Sequence, residues 1–156
     1  SIVPVIVATM FLLVKSKRLF FTTFWASVAT MVLVNMFYIL FPSFYPRPEF
    51  TPSTITEYFV HFSYMIDNSS NTFPSGHVAF AWLMYWGGSR PQKAQELKEL
   101  RRIFLLWAIA LSLSSITLKM HYLIDLLGGF AIGTMSFFVI KSYIKKHSLY
   151  SEETVP

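Results

Sequence analysis

Four consecutive residues, Pro74-Ser75-Gly76-His77, open an apolar stretch of the sequence with groups that suit phosphate binding. If this stretch is a helix, its first turn presents unpaired backbone N–H groups and the positive end of the helix dipole, which favour an anion. Gly76 allows a ligand to approach closely, Ser75 adds a hydroxyl donor and His77 adds an imidazole. The alternative is structural: Pro74 and Ser75 start the helix, Gly76 packs tightly, and His77 is an interfacial polar residue.

His121 and Asp125 form a second candidate element at the start of a later apolar stretch. On a helix their spacing puts both side chains on one face, so the Asp125 carboxylate can accept a hydrogen bond from one imidazole nitrogen. Such a carboxylate fixes the tautomer and raises the basicity of the other nitrogen, which leaves His121 nucleophilic. An aspartate near hydrocarbon is costly and usually marks function. The alternative is a structural hydrogen bond that joins two helices.

No metal site and no cofactor are predicted. Each of the two elements offers only two strong ligands, and no third carboxylate or His lies at ligand spacing. The sequence also has no Cys, which excludes thiolate ligands, cysteine nucleophiles and disulfides together.

Two cations lie close to these elements in the sequence. Arg47, which is followed by Pro48, precedes the first element and could grip phosphate oxygens with two hydrogen bonds. Lys119 lies two residues before His121 and is a second candidate phosphate ligand. The alternative for both is an ordinary cation whose side chain reaches the headgroup level of a membrane.

Apolar blocks must carry these residues, because the chain is 54% hydrophobic and only 13% charged. The blocks cover residues 1–14, 19–41, 73–88, 103–118 and 122–143, each at or near the roughly 20 residues needed to cross a bilayer. The sequence therefore predicts an all-α, polytopic transmembrane helix bundle with five visible spans in a single domain, residues 1–156. Because the first block is short and the chain starts at Ser1 rather than Met, we expect an N-terminal truncation.

Basic residues lie in alternate loops, and therefore on one side of the predicted bundle. The positive-inside rule makes that side cytoplasmic, so both candidate elements should face the periplasm, the exterior or an organelle lumen. A cytoplasmic N-terminus would then require a sixth span upstream. The same distribution argues against nucleic acid as a partner of this chain of net charge +5. The basic residues on this side are Lys15, Lys17, Arg18, Arg90, Lys93, Lys98, Arg101, Arg102, Lys141, Lys145 and Lys146.

Three local patterns describe the connections. Prolines and aromatic residues fill positions 42–52 and predict a loop at headgroup depth, and residues 54–65 predict a short interfacial helix. Asn71 or Thr72 is the expected N-cap of the next helix, with Pro74 in its first turn. Gly129 and Gly133 form a small-residue pair that is typical of close helix packing.

In order and spacing, these residues resemble the motifs of the phosphatidic acid phosphatase type 2 superfamily over roughly residues 40–135. The first motif of that family is Lys, six residues, then Arg-Pro. Here Arg47 and Pro48 match, and Leu40 stands at the Lys position. The second motif, Pro-Ser-Gly-His, is complete at residues 74–77, and such an intact motif is a specific signal.

The third motif of the family is Ser-Arg, five residues, His, three residues, then Asp. Ser114, His121 and Asp125 match it, and Ser115 stands at the Arg position. Two family cations are thus missing from their usual places. Lys119 is a candidate replacement for one of them, in line with the phosphotransferase-like branch that contains the inositol phosphorylceramide synthases.

The resemblance implies a six-helix bundle and a phosphohistidine mechanism without metal. Carried over to this chain, His121 attacks phosphorus, Asp125 orients it, and His77 protonates the leaving alkoxide. The implied stabilisers of charge on the equatorial oxygens are Ser75, the Gly76 amide, Arg47 and Lys119.

Three functions follow as expectations. The first is a membrane phosphatase that acts on a phospholipid or isoprenoid-type lipid phosphate or pyrophosphate at the non-cytoplasmic face. The second is a phosphotransferase that passes the phosphate group to another alcohol, as the sphingolipid synthases do. The third is a non-catalytic relative that binds a phospholipid, which Leu40 and Ser115 make credible. The sequence does not predict the oligomeric state.

Overall fold

The computed structural model describes residues 17–66, 70–88, 96–147 and 149. Within these ranges the chain forms five α-helices and no strand, apart from an isolated bridge between Phe44 and Ser70. The predicted all-α class is therefore confirmed. The first predicted span, residues 1–14, lies outside the described residues. The helices are α1 (Lys17–Leu40), α2 (Ile55–Ile66), α3 (Gly76–Gly88), α4 (Glu96–Thr117) and α5 (Leu123–Lys146).

Of the described helices, α1 and α5 are long and apolar enough to cross a membrane. Each has 24 residues, or roughly 36 Å at 1.5 Å per residue, against a hydrocarbon core of about 30 Å. Their apolar side chains are widely exposed: Ile39 is 80% and Met135 64% exposed. A core helix of a soluble protein would bury such residues, so this exposure favours a lipid environment. The crossing of the membrane by the other predicted spans stays a prediction.

Helix α3 is the core of the bundle. It packs against α1, α4 and α5, and α5 also packs against α1. Eight of its 13 residues are buried, including Val78, Leu83 and Met84, which are at most 1% exposed. A helix that is hydrophobic all round is expected to be buried on all sides. The apolar block at residues 73–88 therefore reflects burial by neighbouring helices.

Glycines let α3 and α5 approach until their backbones touch. A Cβ atom added at Gly129 would collide with the carbonyl oxygen of Ser75, and one added at Gly133 would collide with the carbonyl oxygen of Ala79. These contacts confirm the predicted small-residue packing. They also bring the beginnings of α3 and α5 side by side.

We predict that Gly133→Ala destabilises the bundle. Its new methyl group would press on a backbone carbonyl of α3, which cannot rotate away, and such overpacking costs about 1–3 kcal/mol. Thermal unfolding in detergent should show a midpoint several degrees lower than that of the wild type. Met135→Ala, at an exposed position of the same helix, is the control and should leave the midpoint nearly unchanged. Equal midpoints for the two variants would contradict the close approach.

The start of α3 differs from the prediction. The helix begins at Gly76, and Ser75 is its N-cap: Ala79 N–H donates to Ser75 O at 3.0 Å, and Val78 N–H approaches Ser75 Oγ at 3.5 Å. The predicted cap at Asn71 or Thr72 is wrong, because Thr72 Oγ1 donates to Ser43 Oγ instead. The physical reason lies in Pro74, whose ring disfavours helical backbone at Phe73, so Phe73 cannot be the first helical residue after a cap at Thr72. Pro74, expected in the first turn, also precedes the helix.

The predicted short helix is confirmed as α2, and its first turn carries a capping box. Glu57 Oε2 accepts hydrogen bonds from Ser53 N–H at 2.6 Å and Thr54 N–H at 3.0 Å, while Glu57 N–H donates to Thr54 Oγ1 at 3.3 Å. These bonds, that from the Ser53 amide most of all, hold the pKa of the Glu57 carboxyl below its usual range. The cap thus explains why the helix starts at Ile55. Its interfacial position stays a prediction.

Four helix termini meet at one end of the bundle, which we call the site end. There α1 and α4 finish, and α3 and α5 begin; Tyr38 Oη near the end of α1 donates to Pro74 O at 3.1 Å. The opposite end carries most of the described basic residues, as the alternation of charge in the sequence indicates. Those at the helix termini are Lys17, Arg18, Arg101, Arg102, Lys145 and Lys146.

Candidate active site

Three buried polar residues meet at the site end. The Nε2 atom of His121 lies 3.3 Å from Ser75 Oγ, and its Nδ1 atom lies 3.5 Å from Asp125 Oδ2. Ser75, His121 and Asp125 are 0%, 8% and 2% exposed. The structure thus brings together the two elements that the sequence singles out, although 46 residues separate Ser75 from His121.

The connection between α4 and α5 holds the His121 ring in place. His121 precedes α5 by two residues, so the expectation that it shares a helix face with Asp125 is wrong. Instead, the N–H groups of Met120 and His121 both donate to the carbonyl oxygen of Ser115, at 3.1 and 3.2 Å. This tight turn closes the C-terminus of α4, satisfies one of its orphan carbonyls, and aims the ring back toward Asp125.

Asp125 makes contact with both halves of the site. Its Oδ2 atom accepts a hydrogen bond from Tyr122 N–H at 2.9 Å, besides facing His121. Its carbonyl oxygen accepts a hydrogen bond from Ser75 N–H at 2.9 Å. Because the carboxylate lies in the first turn of α5, the helix dipole also favours its negative charge. One residue therefore fixes the His121 ring and the start of α3.

The arrangement favours one tautomer of His121. With a carboxylate beside Nδ1, the proton belongs on that nitrogen, and Nε2 is left as a lone-pair acceptor for the Ser75 hydroxyl. The same nitrogen therefore faces the first turn of α3, where the amides of Gly76 and His77 have no acceptor within the helix. An imidazole nitrogen, a hydroxyl group and an anion-favouring helix terminus thus lie together among buried side chains.

His77 stands at the rim of this group. It is the second residue of α3 and is exposed. Among the residues that the structure describes, its imidazole makes no hydrogen bond or ion pair. Its role as an acid or base stays a prediction.

Arg47 is engaged with α2. Its Nη1 atom donates to the carbonyl oxygen of Tyr64 at 2.7 Å, and its guanidinium carbon lies 4.9 Å from the centre of the Tyr64 ring. The sequence did not foresee this structural use. The Tyr64 hydroxyl in turn donates to Leu118 O at 2.6 Å, so Arg47 lies one side chain away from the connection that carries His121. Phosphate binding by Arg47 stays a prediction.

Lys119 occupies an unusual backbone position. Its φ angle is 50°, in the left-handed region that glycine prefers, just after α4 ends. The side chain is exposed and follows Ser115 by four residues. Ser115 itself turns its hydroxyl back to Leu111 O at 2.9 Å, and Leu40 is 60% exposed at the end of α1. Leu40 and Ser115 therefore offer no positive charge at the two positions where the family has Lys and Arg.

Several supporting residues escaped the sequence analysis. Tyr38 holds the carbonyl oxygen of Pro74, and Ser43 Oγ accepts a hydrogen bond from Phe73 N–H at 2.8 Å, so both fix the approach to Ser75. Tyr122 supplies the amide that binds Asp125. The one available signal was general: a tyrosine near the end of an apolar block needs a partner for its hydroxyl.

Comparison with known proteins gives the family. The family model described as PAP2 superfamily matches residues 19–148. The chain belongs to the PAP2 superfamily. The resemblance found in the motifs is therefore confirmed, and the matched range of this PAP2 chain contains every residue of the site described above.

A curated relative also matches this PAP2 chain. Phosphatidylglycerophosphatase B of Bacillus subtilis (strain 168) is 28% identical over 106 residues, which cover 64% of the chain and 46% of that protein. The chain thus spans about half the length of this relative. No solved structure gives a significant match.

We predict that Lys119→Gly stabilises the protein. Glycine adopts a positive φ without the steric cost that a Cβ atom incurs, and the gain should be on the order of 1 kcal/mol. Thermal unfolding in detergent should show a higher midpoint. Lys119→Ala is the matched control, since it removes the charge but keeps the Cβ atom, and it should not raise the midpoint. A rise of equal size in both variants would mean that charge, not backbone strain, is responsible.

Proposed function

We propose that this PAP2 protein is a membrane lipid phosphatase that works through a phosphohistidine at His121. The observation that carries the proposal is the position of the buried His121 Nε2 atom, 3.3 Å from Ser75 Oγ and beside the first turn of α3. Membership of the PAP2 superfamily supports phosphatase chemistry. The Bacillus relative is a phosphatidylglycerophosphatase by name, which supports a lipid phosphate as substrate.

In the first step, phosphate transfers to the enzyme. The lone pair of His121 Nε2 forms a bond to phosphorus while the bond from phosphorus to the lipid oxygen breaks. Protonated His77 donates its proton to that oxygen, so the lipid leaves as an alcohol. Asp125 stabilises the positive charge that develops on the His121 ring.

In the second step, water removes the phosphate. His77, now neutral, accepts a proton from water as the water oxygen attacks phosphorus, and the bond to Nε2 breaks. Inorganic phosphate leaves, and both histidines return to their starting states. The Ser75 hydroxyl turns from Nε2 to a phosphate oxygen during both steps. Other proposed donors to these oxygens are the Gly76 amide, Arg47 and Lys119.

The membrane setting supplies the substrate. We propose a multi-pass bundle whose site end lies at the non-cytoplasmic surface, supported by the exposed apolar sides of α1 and α5 and by the basic residues at the opposite end. A lipid phosphate has its headgroup at this depth. A phospholipid and an isoprenoid-type lipid phosphate both meet that requirement.

We predict that purified protein releases inorganic phosphate from at least one member of a panel of lipid phosphates, and that His121→Ala abolishes this release. Loss of the nucleophile should lower the rate by a factor on the order of 10³ or more. The measurement is phosphate release in detergent or vesicles. His147→Ala, which removes an exposed imidazole at the opposite end of α5, is the control and should keep its activity. If wild type and His121→Ala are equally inert across the panel, the proposed phosphatase function is refuted.

A second prediction concerns the nature of the catalysis. Because the proposed nucleophile and acid are both imidazoles, EDTA should leave the rate unchanged. Orthovanadate should inhibit, since it mimics the five-coordinate phosphorus of the transition state. The readout is again phosphate release, over a range of each reagent. Loss of activity in EDTA that a divalent ion restores would refute the metal-independent mechanism.

A phosphotransferase is the second candidate, favoured by Lys119, which resembles the cation of the phosphotransferase-like branch of the family. In this case an acceptor alcohol replaces water in the second step. Product analysis with and without a candidate acceptor distinguishes the two functions. Only a phosphatase releases inorganic phosphate in water alone, whereas a transferase needs the acceptor and yields a new phosphodiester or phosphoester.

A further inference from the structure

Helix α2 turns an apolar stripe away from the protein. Residues at spacings of three and four lie on one face of a helix, and five such side chains of α2 are each at least 60% exposed. In a globular protein this face would pack on the core; in α2 it points outward. The apolar stripe consists of Ile55, Tyr58, Phe59, Phe62 and Met65.

The opposite face of α2 contacts the connection between α4 and α5 at the site end. Tyr64, half-buried there, donates its hydroxyl hydrogen to Leu118 O at 2.6 Å. Arg47 fixes the tyrosine from outside through the Tyr64 carbonyl oxygen and the face of the ring. Burial raises the pKa of the Tyr64 hydroxyl, which therefore remains a hydrogen-bond donor. Leu118 is a residue of the connection between α4 and α5, three residues before His121.

The same segment also contacts the other side of His121. The ring of Tyr45, in the loop before α2, lies 4.4 Å from the ring of Tyr122. Residues of the connection on both sides of His121 are thus held by the stretch that runs from Tyr45 to Tyr64. A shift of α2 would therefore move or release the turn that aims the His121 ring.

The surroundings of the apolar stripe identify its partner as lipid. At the same end of the bundle, α1 finishes in exposed apolar residues, with Ile39 80% and Phe41 61% exposed, and α5 starts in others, with Leu123 64% exposed. The stripe adds to this lipid-facing apolar surface at the level of the helix ends. An amphipathic helix at this level rests with its apolar face about 5–10 Å inside the boundary between headgroups and acyl chains.

We propose that α2 docks on the lipid surface through its apolar stripe, and that Tyr64 couples this docking to the position of His121. Tyr64 is then a positioning residue, because it acts on the reacting atoms through Leu118 and the turn that follows. The catalytic consequence rests on the proposed function. The docking itself does not depend on it.

Docking is tested with a single fluorescent label. Because the sequence has no Cys, Phe59→Cys takes one polarity-sensitive dye on the apolar stripe. Val60→Cys, at a half-buried position, takes it on the opposite side, because no residue of the stripe lies three or four positions away from Val60. The protein is placed in vesicles of phosphatidylcholine and phosphatidylglycerol that contain a quencher on the lipid. We expect quenching at position 59 to be severalfold stronger than at position 60.

Two results would overturn docking on lipid. Equal quenching at the two positions would mean that the stripe does not face the membrane. A label at position 59 that lipid does not quench, together with disulfide-linked dimers of unlabelled Phe59→Cys, would assign the stripe to a second copy of the chain.

Coupling is tested by removing one oxygen atom. Tyr64→Phe loses the bond to Leu118 and keeps the ring that Arg47 covers. In vesicles, amide hydrogen exchange in residues 118–122 should become faster, both in Tyr64→Phe and in the stripe variant Phe59→Ser/Phe62→Ser. On a lipid phosphate, kcat of Tyr64→Phe should fall about tenfold, because the nucleophile is misplaced, with KM changed less than twofold.

The combined variant decides whether Tyr64 carries the coupling. If it does, adding Phe59→Ser/Phe62→Ser to Tyr64→Phe should cause no further increase in exchange and no further loss of kcat. Additive effects, or exchange that matches the wild type in Tyr64→Phe, would overturn the coupling. If the wild type releases phosphate from no lipid, the proposed function fails, while quenching and exchange still decide docking and coupling.

Discussion

The hydrogen bond from Ser75 N–H to the carbonyl oxygen of Asp125 sets the geometry of this protein. It joins the residue before α3 to the first turn of α5, and it can form only if the two backbones almost touch. Gly129 and Gly133 make that possible, since a side chain at either position would strike a carbonyl group of α3 or its cap. The close packing of α3 on α5 in the middle of the bundle therefore also fixes the positions of the polar residues at its end. The same approach places Ser75 Oγ beside His121 Nε2.

Two helices that begin side by side place two partial positive charges close together. The N-termini of α3 and α5 both point the positive ends of their dipoles at the site, and parallel dipoles repel. The Asp125 carboxylate, buried in the first turn of α5, offsets part of this charge. A phosphate group bound at α3 would offset more. The two helix termini therefore favour an additional anion, and Asp125 lies beside the His121 ring.

The candidate residues of the site could be singled out from the sequence, whereas the hydrogen bonds that position them could not. Residue types and spacing were enough to single out His77, His121 and Asp125, because those motifs are local. They misplaced the N-cap of α3, since the restriction that Pro74 imposes on Phe73 outweighs the capping propensity of Thr72. They also missed Tyr38, Ser43 and Tyr64, whose partners are backbone groups distant in the sequence. A hydrogen bond to a backbone carbonyl leaves no trace in the identity of its acceptor.

Hydropathy in the sequence indicates that a side chain leaves water, but not where it goes. The block that became α3 is apolar because three helices surround it, and the helix itself has 13 residues where a full span needs roughly 20. The blocks that became α1 and α5 are apolar although much of their surface is exposed. In α2 the two cases appear on opposite faces of one helix: Tyr64 faces the protein, and the apolar stripe faces outward. Only the fold separates apolar residues of the core from those on the exposed surface. That division explains why the site end carries an exposed hydrophobic helix next to a buried polar cluster.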